Sequence, residues 1–156
     1  MAQYGGFWRR FLAYLIDSII LNVAFGFVNF AIGIFLGMAM GGGPEIALVV
    51  SLLGGLIGLV GGWLYYAILE SSSRQATFGK QALGLVVTDE AGRRISFGRA
   101  TGRHFAKLVS ALILMIGYFM AGWTRRKQGL HDMMAGTLVY KAGNPQDVLI
   151  DVEAFR

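Results

Sequence analysis

The stretch FLAYLIDSIILNVAFGFVNFAIGIFLG, residues 11–37, decides the fold. It holds no Lys, Arg or Glu, and its single acid is Asp17. Roughly 20 apolar residues in helical form cross a bilayer, so this run is long enough to span. A carboxylate within a spanning helix is costly, and reads by default as a functional group whose partner has to be found. Arg10 stands seven residues before Asp17, two helical turns away on nearly the same azimuth. That separation is roughly 10 Å along the axis, long for a direct contact unless Arg10 bends inward.

Working outward, a second uncharged run covers residues 46–69 and ends at Glu70. The link between the runs, residues 38–45, is Gly-rich and carries no basic residue. The segment after Glu70 carries Arg74, Lys80, Arg93, Arg94, Arg99 and Arg103 against Asp89 and Glu90. The positive-inside rule then places the N-terminus and this segment in the cytoplasm, and the link outside. A third apolar stretch, residues 105–123, has basic flanks on both sides. A straight crossing would strand Arg125, Arg126 and Lys127 outside, so a re-entrant hairpin broken near Gly117 is favoured over a full span. The expected fold class is an all-α membrane protein: two transmembrane helices in a hairpin, a third re-entrant or spanning apolar segment, and a small cytoplasmic β-hairpin.

That β-hairpin is read in the cytoplasmic insert, residues 70–104. Gly84 to Thr88 forms one strand, Asp89 to Gly92 the turn, and Arg93 to Phe97 the returning strand. Gly136 to Tyr140 is a further strand that could add to it. Ser96 is placed as the N-cap of an amphipathic helix running through Arg103 to Lys107 along the membrane surface. Thr77 is the expected N-cap of a short helix ending at Gly84. Glu70 is read as a solvated charge at the end of the second helix. Residues 1–141 make one membrane domain, and the tail, 142–156, is polar and expected to fray.

Composition agrees. The chain of 156 residues is 55% hydrophobic, with mean hydropathy +0.57 and 23 Gly against two Pro. Abundant Gly suits membrane helices. The absence of Cys excludes disulfides and thiolate chemistry. The net charge of +5, with no aromatic-and-basic nucleic-acid motif, points to anionic lipid headgroups rather than nucleic acid. Arg9-Arg10 before an apolar run superficially suggests a signal peptide. The run is too long and contains Asp17, Asn22 and Asn29, so it is read as a retained span.

Two faces emerge on the first helix. Arg10, Ala13, Asp17, Ala24 and Ala31 share one side, and Asn22, Gly26, Asn29, Gly33 and Gly37 the other. Small residues let helices approach closely, and the second helix is expected to answer with Gly54, Gly58 and Gly62 at fourfold spacing, plus Ser51, Gly55 and Gly61. Two or three spans cannot easily enclose a water-filled path alone, so transport by this chain would call for a homo-oligomer.

Three segments together resemble the RDD family of membrane proteins, named for one Arg and two Asp. They are R-x-x-A-x-x-x-D at Arg10, Ala13 and Asp17, T-x-G-K-x-x-x-G from Thr77 to Gly84, and L-H-D-x-x-A-G-T from Leu130 to Thr137. By this resemblance Arg10 is the family Arg, and Asp17 and Asp132 are its two Asp. The resemblance implies a multi-pass protein of the bacterial cytoplasmic membrane that moves an unknown small ligand, some members being similar to cation/proton antiporters.

The candidate binding residues are therefore Arg10, Asp17, Asp132, His131 and Lys80. Asp17 is either an ion-paired packing residue or a titrating carboxylate, with Arg10, Asp132, Lys80 and Arg103 as possible partners. Asp132 either belongs to the same centre or caps a helix and pairs with Arg125 or Arg126. Enzyme readings fail. His104 and His131 are too few for a metal-dependent phosphohydrolase, Ser71 to Ser73 lack a nucleophile-elbow context, and Thr77 to Lys80 lack the full phosphate-loop pattern. No cofactor is expected. The leading functional expectation is ion or ligand transport through an Arg/Asp/Asp centre, and its rival is a structural or assembly module of the membrane.

Overall fold

Two long helices dominate a computed structural model that describes residues 3–112 and 116–154. Helix α1 runs Phe7–Met40 and α2 runs Pro44–Ser71, each long and apolar enough to cross a membrane. Both exceed the runs expected from hydropathy, because helix continues into the polar flanks. At 1.5 Å per residue α1 is roughly 50 Å long against a hydrocarbon core of roughly 30 Å, so in a bilayer it would tilt or project. The hairpin turn is set by local chemistry: Gly41 takes φ +80, which ends α1, and Pro44 opens α2 with Glu45 in its first turn.

The helices meet at Gly54 and Gly61, both among the glycines expected, though not at the fourfold spacing. A Cβ at Gly54 would lie 2.6 Å from Asn29 Oδ1, and one at Gly61 would lie 2.5 Å from the tip of the Phe25 ring. Gly58 and Gly62 face no atom within 4 Å. The contact therefore recurs after seven residues, two full turns, which keeps one seam against the partner. Of the two α1 faces, Ala13 and Asp17 turn toward protein, whereas Ala24 and Ala31 are exposed.

Beyond α2 the chain builds a small body around one end of the hairpin. Helix α3 spans Phe78–Ala82, β2 Leu85–Asp89, α4 Phe97–Leu112, α5 Ile116–Trp123, α6 Leu130–Ala135, β3 Thr137–Lys141 and α7 Pro145–Ala154. With β1, Gln3–Tyr4, the strands form an antiparallel sheet in the order β1-β3-β2. The expected hairpin is thus corrected: β2 pairs with β3, Val87 opposite Val139, and residues 93–96 form no strand. The turn itself is present, closed by Asp89 Oδ1 accepting from the Ala91 and Arg93 amides at 2.8 Å. The chain then departs because Ile95 is drawn into the core and Ser96 caps α4, its Oγ accepting from the Arg99 amide at 3.2 Å. The far edge of β2 is held by Gln75, whose carbonyl accepts from the Val87 amide and whose side-chain amide donates to the Val87 carbonyl.

Leu85-Val86-Val87 is apolar without alternation because both sheet faces are covered. Leu85, Val87 and Val139 pack with Ala13, Ala67, Ile95 and Ala100. On the other face Val86, Leu138 and Tyr140 pack with Val148 of α7. The tail expected to fray is instead a helix whose Val148 is fully buried, for the plain reason that a two-sided sheet needs a second cover. Helix α4 carries the first part of the third apolar stretch and α5 its last part. Gly117, the expected place of the break, lies within α5, and residues 113–115 lie outside the described residues.

Candidate functional site

Charged side chains gather where α1 and α2 meet the sheet, α4 and α6. Arg10 leaves the first turns of α1, donates through Nε to the Gly5 carbonyl at 2.8 Å, and pairs through Nη1 with Asp132. Asp132 sits in the first turn of α6, fully buried, and also accepts from the Gly129 amide at 3.1 Å. Its expected role as a helix cap is therefore real, but its cations are Arg10 and Arg103, not Arg125 or Arg126. Arg126 instead faces Glu90 at 3.4 Å on the exposed surface.

Arg103, only 2% exposed, joins the two halves of the network. Its Nη2 lies 2.7 Å from Asp132 Oδ1, and its Nη1 donates to Glu70 Oε2 at 3.0 Å. Glu70, read from sequence as solvated, is 1% exposed and central. It pairs with Lys80 and Arg103, and Lys107 Nζ stands 3.7 Å away. Guanidinium suits this bridging place, since its planar fork serves two carboxylates at once.

Asp17 is fully buried, yet it stands apart from the ion pairs. Its oxygens accept from Tyr65 Oη at 2.6 Å, Thr77 Oγ1 at 2.6 Å and the Gly79 amide at 2.7 Å. No cation lies within ion-pair distance of it among the described residues. The single Arg/Asp/Asp centre expected from sequence is therefore divided: Arg10 and Asp132 are joined, and Asp17 is held by neutral donors. The Thr77-x-Gly79-Lys80 segment explains how. Thr77 caps α3, its Oγ1 accepting from the Lys80 amide at 3.4 Å while its hydroxyl proton goes to Asp17. Gly79 lies so close to α1 that a Cβ there would overlap the Ala13 carbonyl oxygen. Lys80 then projects the other way, into Glu70.

Outside the two long apolar helices the environment moves protonation in readable directions. Burial alone would raise the Asp132 carboxyl, but Arg103 and Arg10 overcome it and hold Asp132 well below the usual carboxylate range. Burial pushes the Lys80 ammonium down, and Glu70 opposes that shift. His131 is pushed down to about 3 by burial, with Asp132, 3.4 Å from its Nε2, only partly offsetting this. No group of three or more metal-ligating side chains occurs among the described residues.

Sequence reasoning missed Glu70 and Lys107 as members of the network, and Tyr65 and Thr77 as partners of Asp17. The signal available for Glu70 was slight: one acid at the end of an apolar helix, facing a segment rich in cations.

Comparison with known proteins agrees with the motifs. The uncharacterized protein YxaI of Bacillus subtilis (strain 168) is 39% identical over 152 residues, covering 90% of this chain and all of that one. No solved structure matches. The sequence profile of the RDD family matches residues 4–136, which contain every member of the charge network. The chain belongs to the RDD family, and its two apolar helices mark it as a membrane protein.

Proposed function

We propose that this is a non-catalytic architectural module of the bacterial cytoplasmic membrane, multi-pass with its N-terminus cytoplasmic, whose buried charges clasp the spanning hairpin to a cytoplasmic sheet. One observation carries this reading. The nearly inaccessible Arg103 of α4 is shared between Glu70 at the end of α2 and Asp132 at the head of α6. Removing one partner of a buried pair costs roughly 3–5 kcal/mol when the other charge is left alone, and removing Arg103 strips Glu70 and Asp132 of one of their cations each. The packing of α5 against α1, α4 and α6 supports a re-entrant third segment that returns to the side from which it left.

Asp17 favours a second reading, exchange of a monovalent cation for protons. A buried carboxylate on a long apolar helix, held by neutral donors with no cation at ion-pair distance among the described residues, suits reversible uptake of a proton or cation. With two long spans per chain, that activity requires a homo-oligomer.

Two variants separate the readings. Arg103→Met is expected to lose folded yield in detergent and thermal stability, and Arg103→Lys to restore little, since an ammonium cannot fork between two carboxylates. Proteoliposomes carrying a pH-sensitive dye then test exchange across a panel of monovalent cations. Flux by the parent that vanishes in a normally melting Asp17→Asn variant would establish exchange. Absence of flux together with collapse of Arg103→Met leaves the clasp, and a stable Arg103→Met protein would refute it.

A further inference from the structure

A groove of about 570 Å³, lined by no member of the charge network, lies between β1, the first turn of α1, the end of α5 and the end of β3. Its lining includes Tyr4, Trp8, Arg9, Trp123, Lys127 and Lys141, and no acid. We propose that this groove binds the phosphate-bearing headgroup of an anionic phospholipid.

The three cations are differently committed from those of the network. Arg9 and Lys141 are exposed, and their side chains have no hydrogen-bond or ion-pair partner among the described residues. Lys127 Nζ donates to the Gly122 carbonyl at 2.9 Å, which uses one of its three protons. Consecutive residues thus diverge: Arg10 turns inward to Asp132, and Arg9 remains at the groove with its charge unspent.

The aromatic residues say which source of phosphate fits. Trp8 is 72% exposed and Trp123 82% exposed, so two large amphipathic rings flank the groove beside the entry of a spanning helix. Tryptophan in that setting occupies the headgroup level of a bilayer. A lipid supplies a phosphate for the cations and glycerol and acyl carbons for the rings, whereas a free anion leaves the rings without a role. The groove shares no residue with the clasp, so loss of one leaves the other standing.

The test uses the full chain purified in detergent, with native mass spectrometry counting retained lipid from an equimolar mixture of phosphatidylglycerol and phosphatidylcholine. Preference for phosphatidylglycerol on the order of tenfold is expected, from two uncompensated charges near an anionic group. The double variant Arg9→Gln/Lys141→Gln should lose most of that preference, and Arg9→Lys should keep it. Arg74→Gln, an exposed cation away from the groove, should leave it unchanged.

Equal loss in Arg74→Gln would mean diffuse surface charge and would overturn the site, as would full preference in the double variant. Inorganic phosphate that abolishes the preference at low millimolar concentration would make the groove a soluble-anion site instead. A measurement without charge variants guards against a misfolded double variant. In Trp63→Phe the tryptophan emission comes from Trp8 and Trp123 alone, and it should shift with phosphatidylglycerol and not with phosphatidylcholine. No shift counts against the proposal.

Discussion

Gly79 stands where no larger residue has room. Its amide donates to Asp17, and its α-carbon rests against the Ala13 carbonyl of α1, so the side chain is excluded by backbone, which cannot rotate away. Gly79→Ala is expected to destabilise the protein by about 3 kcal/mol, at the upper end of overpacking costs. A thermal or denaturant melt in detergent checks this, and a change below about 1 kcal/mol would mean that α3 can move off α1. The small residue at Ala13 and the glycine at Gly79 are thus two halves of one contact. Neither position reveals its partner in the sequence, because they are sixty-six residues apart.

Among the elements, α7 carries the clearest dependence. Its Val148 closes the sheet face formed by Val86, Leu138 and Tyr140, and a Val side chain buried to this extent stabilises by roughly 1.5–3 kcal/mol. Removing residues 145–156 should lower stability by about 2 kcal/mol and render β3 sensitive to limited proteolysis, while far-UV circular dichroism keeps the long-helix signal. Unchanged melting would show that this face tolerates water. The long helices and the caps at Thr77 and Ser96 were legible, because hydrophobic length and capping chemistry are local. Strand pairing was not. Residues 93–97 were the nearer strand in sequence, and β3 displaced them because a strand flanked by β1 and covered by α7 buries more apolar surface.

The whole molecule links its charges to pH. His131 titrates near 6.5 when unfolded, but burial pushes it down to about 3 in the fold, against the partial opposition of Asp132. The unfolded chain therefore takes up a proton first as pH falls. This contribution to stability is complete above pH 6.5 and is lost as pH drops through the window between about 6.5 and 3, by at most about 1.4 kcal/mol per pH unit. Asp132, held below the usual range, adds a further loss of the same sign at carboxylate pH. His131→Asn should flatten the melting temperature between pH 6.5 and 4 and leave the steeper fall below it. An unchanged profile would mean that His131 is reached by water.

The sequence by itself determined two helices apolar enough to span, and Asp17 as the one acid of the first, because hydropathy is carried by each segment alone. Arg10, Lys80, His131 and Asp132 were singled out by the three motifs shared with the RDD family. Only the tertiary structure decided that Asp17 answers to Tyr65, Thr77 and Gly79, that Glu70 is buried, and that Arg103 joins two acids. Those pairings depend on which helix ends meet, and a charge acquires its partner through proximity in space, a quantity that no single segment encodes.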